Sequence, residues 1–244
     1  MNAFDLPAIG DRLRGNRYPG RGIFIGMTAD GARAAVAYFL MGRSENSRNR
    51  VFAEEGGDLV IRLHDRAKLS DPSLILYAPM RRHENHLIIT NGDQTDTIFD
   101  AVRGGGSFRG ALDTREFEPD APNYTPRISG MLTFAGGEFS YQMSILKAAD
   151  GAGTACLRQY FSYPAMRGVG HIIHTYRADG DPIPSFEGEP ARAAVPDAID
   201  ACADALWTSL DARNRVALYV RYVDVRTGAH ETRIINRHES GGAQ

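Results

Sequence analysis

Lysine is almost missing from this chain. Of its 28 basic residues only Lys68 and Lys147 are lysine. A GC-rich coding sequence accounts for most of that bias. The other reading is that arginine forks suit phosphate and carboxylate, and only the placement of particular arginines separates the two. Cysteine is scarce too: Cys156 and Cys202 form no CxxC pair, and the simplest reading is a cytoplasmic protein with reduced thiols. No apolar run reaches the roughly 18 residues that would cross a bilayer, so no membrane association is expected. The opening residues MNAFD show neither a basic segment nor a following apolar one, and no secretory signal is expected. Positive charge is not in excess either. A net charge of −2 at pH 7 argues against a nucleic-acid partner, although one basic pocket for a single phosphate remains compatible.

What is present is ordinary globular material. The 43% hydrophobic and 24% charged fractions suit a folded domain. A chain of 244 residues buries about 70% of its unfolded surface and needs no disulfide or metal staple. One domain over residues 1–244 is expected. The periodicity is mostly that of strands. Gly22–Thr28 and Ala34–Met41 flank the turn signal Asp30-Gly31 and predict a hairpin. Further strands are expected at Leu59–Leu63, His86–Thr90, Arg127–Phe134, Glu138–Leu146, Leu157–Tyr163, Val169–Tyr176, Val216–Val225 and Thr232–Ile235. Helices are predicted at Thr95–Arg103, stopping at a triple glycine, at Ser107–Arg115, and at Pro196–Leu210 with Val195, Ile199, Cys202, Leu206 and Leu210 as its apolar stripe. Ala178–Pro196 reads as a long loop or lid. The pattern implies an α+β fold of two stacked antiparallel sheets flanked by helices. It lacks βαβ rhythm, a GK[ST] phosphate loop and a GxSxG elbow.

Four segments could carry chemistry. The first, Met41–Phe52 (MGRSENSRNRVF), reads as a loop with nothing core-like in it. It sets Arg43, Arg48 and Arg50 among Ser44, Asn46, Ser47 and Asn49, a density of forked donors and short polar groups that suits phosphate. A solvated surface loop would look the same. The second, Asn91–Thr97 (NGDQTDT), joins a strand to a helix start, where backbone N–H groups bind anions; plain turn and capping chemistry by Asp93 or Thr95 is the plainer account. The third is Asp120–Arg127 (DAPNYTPR), stiffened by two prolines. The fourth is Leu74–Arg82 (LILYAPMRR), where Tyr77 is expected half-buried beside Arg81. The pair His171/His174 is weak as a metal site, because residues three apart on a strand face opposite ways, and His83/His86 lacks further ligands of obvious spacing. No metal is assigned.

Taken in order, GRGIFIG (Gly20–Gly26), GRSENSRNR (Gly42–Arg50), NGDQTDTI (Asn91–Ile98) and TPRISG (Thr125–Gly130) resemble the stand-alone, archaeal-type IMP cyclohydrolases. Archaeal members tend to a shorter middle loop with Phe-Pro before Asn-Arg, and DAPNYTPR is also longer here, which places the chain on the bacterial side of that family. The resemblance implies an αββα sandwich similar to that of the Ntn hydrolases, without an N-terminal nucleophile. It implies ring closure of formyl-AICAR to IMP with loss of water, the last step of purine synthesis, with no redox or nucleotide cofactor.

The resemblance also assigns roles. Arg50 and Tyr77 align with positions used in catalysis, Tyr77 to relay a proton and Arg50 to offset its phenolate and stabilise the oxyanion. Glu118 would orient an arginine or act as base. Arg43, Arg48 and Arg127 become forks for phosphate or carboxamide, joined in binding by Ser44, Asn49 and Thr125. Asn91, Gly92, Asp93, Thr95 and Asp96 would line the base or ribose. Other readings stay open: a relative acting on an analogous nucleotide in specialised metabolism, a non-catalytic purine-nucleotide-binding protein, or an amide hydrolase. Exposed sheet edges are compatible with a homo-oligomer.

Overall fold

The structure is a computed structural model and describes residues 5–68 and 77–238. Residues Leu74–Leu76 of the fourth segment lie outside the described residues, as does the opening MNAF.

Alternation of side chains builds the first sheet. In β1 (Arg21–Met27), Ile23 and Ile25 point to one core while Phe24 points to another. In β2 (Arg33–Met41), Val36, Tyr38 and Leu40 share the face of Ile23, and Ala35, Ala37, Phe39 and Met41 take the opposite one. A one-residue slip would exchange the two sets, so burial on both faces fixes the register. With β10 (Val169–His174), β11 (Ala191–Ala194), β12 (Arg215–Asp224) and β13 (His230–Asn236), these strands form a six-stranded antiparallel sheet ordered β11-β10-β1-β2-β12-β13.

The second sheet has seven strands in meander order: β3 (Arg50–Glu55), β4 (Asp58–Leu63), β5 (Met80–His83), β6 (His86–Thr90), β7 (Arg127–Ala135), β8 (Glu138–Ala148) and β9 (Cys156–Pro164). Its inward residues, among them Leu59, Met80, Ile89, Ile128, Leu132 and Met143, close the central core against the first sheet. Its outward residues Ile88, Met131 and Leu146 meet Ile98, Phe108 and Leu112 of α2 (Gln94–Arg103) and α3 (Phe108–Asp113). On the far side α4 (Ile199–Ser209) lays Ile199, Cys202 and Leu206 on Phe24, Phe39 and Leu218. The result is the expected αββα sandwich.

Three strands were not expected, and each has a reason. The strand β3 lies across the segment read as a loop. Met41 and Arg50 are in fact buried and Phe52 reaches the central core, while between them Ser44 caps a single helical turn, α1 (Glu45–Arg48), through Ser47. The stretch therefore has a core after all. The strand β5 is short, and β11 is alanine-rich and pairs only at a sheet edge. The strand β11 also shortens the loop expected at Ala178–Pro196. The helix expected from Pro196 starts at Ile199 instead. Asp197 is held outside it, accepting from Ala29 N–H (3.1 Å) and Arg33 Nη2 (2.7 Å). Among the described residues no helix is long and apolar enough to cross a membrane.

Candidate active site

One end of the sandwich collects a group of polar and charged side chains at strand ends. Here β1 and β3 begin, β2 and β10 end, and β6 hands over to β7. The turn into β1 needs Gly20, whose φ is +79°, because a Cβ there would run into Thr175 and the Tyr176 ring. That turn delivers Arg21 on the inward face, two residues before Ile23. The start of β3 delivers Arg50 likewise, two residues before Phe52. Arg50 is 3% exposed, and among the described residues its hydrogen bond runs from Nε to the Ser47 carbonyl (2.8 Å).

Tyr77 leads into β5, its carbonyl accepting from Ile61 N–H (3.3 Å). Its hydroxyl meets that of Tyr38 at 2.7 Å, a hydrogen bond that spans the two sheets. Arg21 Nη2 donates to both carboxylate oxygens of Glu118 (3.4 and 3.3 Å). Arg21 Nε is buried with no hydrogen-bond partner among the described residues. Glu118 is itself tied to Thr125, whose carbonyl accepts from its N–H (2.9 Å). The Thr125 hydroxyl meets Tyr176 Oη (2.6 Å) and Asp120, and Tyr176 stacks on Tyr18 at 5.7 Å.

Burial and charge oppose one another throughout this cluster. Burial pushes the Tyr77 phenol above its ordinary value, while Arg21, Arg50 and the Tyr38 hydrogen bond pull it back. Tyr38 lies well above the ordinary phenol value, from burial and from the proximity of Tyr77. Burial lowers Arg50, and the like charge of Arg21 adds to that. Arg21 stays well above its ordinary value because Glu118 and the tyrosines outweigh burial. Burial raises the Glu118 carboxyl against the pull of Arg21, Arg127 and Arg50.

Of the residues expected at the site, Arg50, Tyr77, Glu118 and Thr125 come together. Arg127 lies close by but is committed: Nη1 donates to Asp93 Oδ1 (2.6 Å) and Gln94 Oε1 (2.8 Å). Gly92 permits that approach, since a Cβ would sit 2.5 Å from Arg127 Nη1. Asp93 stands at the N-cap position of α2 in helical conformation and caps nothing. Its carboxylate goes instead to Arg127 and to Arg115 (2.5 Å), and these arginines hold its pKa low against the effect of burial.

Arg43 is separate. It pairs with Asp179 (2.8 Å), lies 5.1 Å over the Tyr18 ring, and borders a cleft of about 730 Å³ with Arg17 and Arg177. Arg48 faces another cavity, with Lys68, His64 and His238, and spends its fork on the Gly42 carbonyl (2.9 Å) and Asn214 (3.1 Å). The three arginines proposed as forks therefore do not converge. Several short polar residues are spent on the backbone. Asn49 brackets Asp65 through two bonds of 2.7 Å, Asn91 brackets Pro126 and Ile128, Thr95 Oγ1 donates to the Gly92 carbonyl (3.0 Å), and Ser44 caps α1. Asp96 is on the surface, paired with Arg81 (2.7 Å). Arg81, expected beside Tyr77, instead lies 3.6 Å over the Phe99 ring. Among the described residues no group of three His, Cys, Asp or Glu is placed to hold a metal.

The sequence reading missed Arg21, Tyr38 and Tyr176. A charged residue opening an apolar strand (Arg21), and tyrosines within or just past such strands, were the available signals.

Fold and site together define a class: a two-sheet sandwich whose end sets a pair of hydrogen-bonded phenols within the field of two guanidiniums, suited to a small anionic substrate. A family model described as IMP cyclohydrolase-like protein matches residues 18–228. Over 182 residues the chain is 30% identical to an IMP cyclohydrolase of Methanopyrus kandleri, covering 70% of this chain and 89% of that relative. The chain belongs to the IMP cyclohydrolase-like family.

Proposed function

We propose that this protein is an IMP cyclohydrolase, closing formyl-AICAR to IMP with loss of water, and that it works as one domain in the cytoplasm. The observation that carries this reading is the Tyr77 hydroxyl held by Tyr38 within the field of Arg21 and Arg50, in a chain of this family.

Both reacting groups belong to one molecule, so holding the formamide and carboxamide in the closing rotamer is a large part of the catalysis. As the carboxamide nitrogen bonds to the formyl carbon, the phenolate form of Tyr77 takes the nitrogen's proton and the formyl oxygen becomes an oxyanion. The Arg50 guanidinium offsets that charge. Tyr77 returns that proton to the oxygen, and as the resulting hydroxyl leaves the carbon it takes up the proton given up by the former formamide nitrogen through the Tyr77 phenolate, so that water is released and that nitrogen is left doubly bonded to the former formyl carbon. Glu118 orients Arg21. The monophosphate is assigned to the cleft of Arg17, Arg43 and Arg177, where its binding energy fixes the remote end of the substrate.

The test is an ultraviolet time course with formyl-AICAR. The hypoxanthine spectrum should grow with wild-type protein. Tyr77→Phe should lose about 10²–10⁴-fold in turnover and Arg50→Ala about 10²–10³-fold, both with unchanged circular dichroism. Near wild-type rates in both would overturn the roles. Tight IMP binding without turnover would leave a nucleotide-binding protein.

A further inference from the structure

We propose that Tyr38, sealed between the sheets, is a positioning residue for the reaction: its hydroxyl donates to Tyr77 Oη and aims that oxygen into the site. This rests on the cyclohydrolase reading for its effect on turnover, though not for the bond itself.

The direction of the bond follows from the surroundings. Tyr38 is fully buried and its ring packs on Phe52 at 5.5 Å. Among the described residues its hydroxyl has Tyr77 Oη as partner, at 2.7 Å. Tyr77 is only partly buried, packed against the central core. The charged groups acting on the pair are Arg21 from β1 and Arg50 from β3, with Glu118 opposing them at Tyr77. Tyr219, opposite Tyr38 in register on β12, turns its hydroxyl away to Glu54 (2.8 Å). Burial raises both phenols, Tyr38 the more, so Tyr77 is the more readily ionised of the two. An O–H donor to a phenolate is worth about twice a neutral hydrogen bond. The same bond fixes the phenolic oxygen in the plane where it must meet the substrate nitrogen. No substrate atom needs to reach Tyr38.

Removing one donor to a charged oxygen should raise the Tyr77 pKa by about 1–2 units. The experiment is Tyr38→Phe, which keeps the ring on Phe52. Two readouts are taken: the ionisation of Tyr77, from ¹³Cζ-tyrosine NMR or difference absorbance, and the pH profile of kcat and KM. Tyr77 should titrate higher and the rising limb of kcat should move up with it. At neutral pH kcat should fall about 10–100-fold with KM within about twofold. A lower melting temperature with both Tyr77 ionisation and the limb unmoved would overturn the proposal. A moved Tyr77 ionisation in a protein that cyclises nothing would uphold the bond and overturn the cyclohydrolase reading instead. If Tyr38→Phe does not fold, 3-fluorotyrosine at position 38, a stronger donor, should move the Tyr77 ionisation and the limb the other way. An unmoved profile there overturns the proposal equally.

Discussion

Asn91 separates a ligand contact from a structural pin, and Asn91→Ala tests which it is. Its side chain is fully buried. Nδ2 donates to the Pro126 carbonyl (2.9 Å), and Oδ1 accepts from Ile128 N–H (2.8 Å) and Gln94 Nε2 (3.0 Å). Truncation leaves the Pro126 carbonyl and the Ile128 N–H without those partners in a dry site, while Gln94 keeps its bond to the Ile128 carbonyl (3.2 Å). Each orphaned group costs about 1–3 kcal/mol, so the loss is about 2–6 kcal/mol. For a chain of this size 1 kcal/mol moves the melting temperature by about 2–4 °C, giving a drop of roughly 10 °C. The assay is a thermal melt backed by urea unfolding, with KM measured well below the transition. KM should stay within about twofold, because no atom of the side chain is left over for a substrate. A melt within about 2 °C of wild type together with a tenfold rise in KM would refute the reasoning and return Asn91 to the binding role read from the sequence.

Other outcomes follow from the same structure. Arg221 is 2% exposed and leans on Glu54 (2.7 Å), which also accepts from Tyr219 and Thr232. Glu54→Ala strands a buried guanidinium and should cost about 3 kcal/mol in chemical unfolding, with Glu54→Gln milder because an acceptor remains. His171 and His174 are both held down to about 4 by burial, His171 also by Arg192. The unfolded chain takes up those protons near pH 6.5, so stability is full above that pH and is lost as pH falls from about 6.5 to about 4. Urea midpoints across that window should decline, and His174→Gln should flatten the decline.

The sheets were legible because burial on both faces writes continuous apolar runs into the chain. Ile23 and Phe24, or Tyr38 and Phe39, face different cores and are all apolar, so the strands read as continuous runs with turns between. The strand β3 escaped because it opens on Arg50, whose charge suits the site and not the core. Segment-level reading reached Arg50, Tyr77, Glu118 and Thr125 through the family resemblance. It could not sort Ser44, Asn49, Asn91 and Thr95 from true contacts. A short polar side chain that closes a turn and one that binds a nucleotide use the same atoms, and only the partner reveals which. Asn49 finds Asp65 sixteen residues away, and Asn91 finds Pro126 thirty-five away; no local pattern carries that information. Arg21 and Tyr38 were hidden by their strands, where apolar neighbours make any residue look like core.

The charge balance fits the proposed placement of the reactive end where the sheets part. Arg21 and Arg50 face one carboxylate, Glu118, and Arg50 is depressed by the nearness of Arg21 as well as by burial. A seam with more guanidinium than carboxylate is unfavourable in the resting protein. It becomes favourable when negative charge develops there, on the Tyr77 oxygen or on an oxyanion beside it. Interactions that strengthen only as that charge appears lower the barrier without tightening the ground state. The strand ends keep one side open to a substrate while the other is closed by Tyr38 and Phe52. That half-dry position lets two cations act on a phenol more strongly than they would in water.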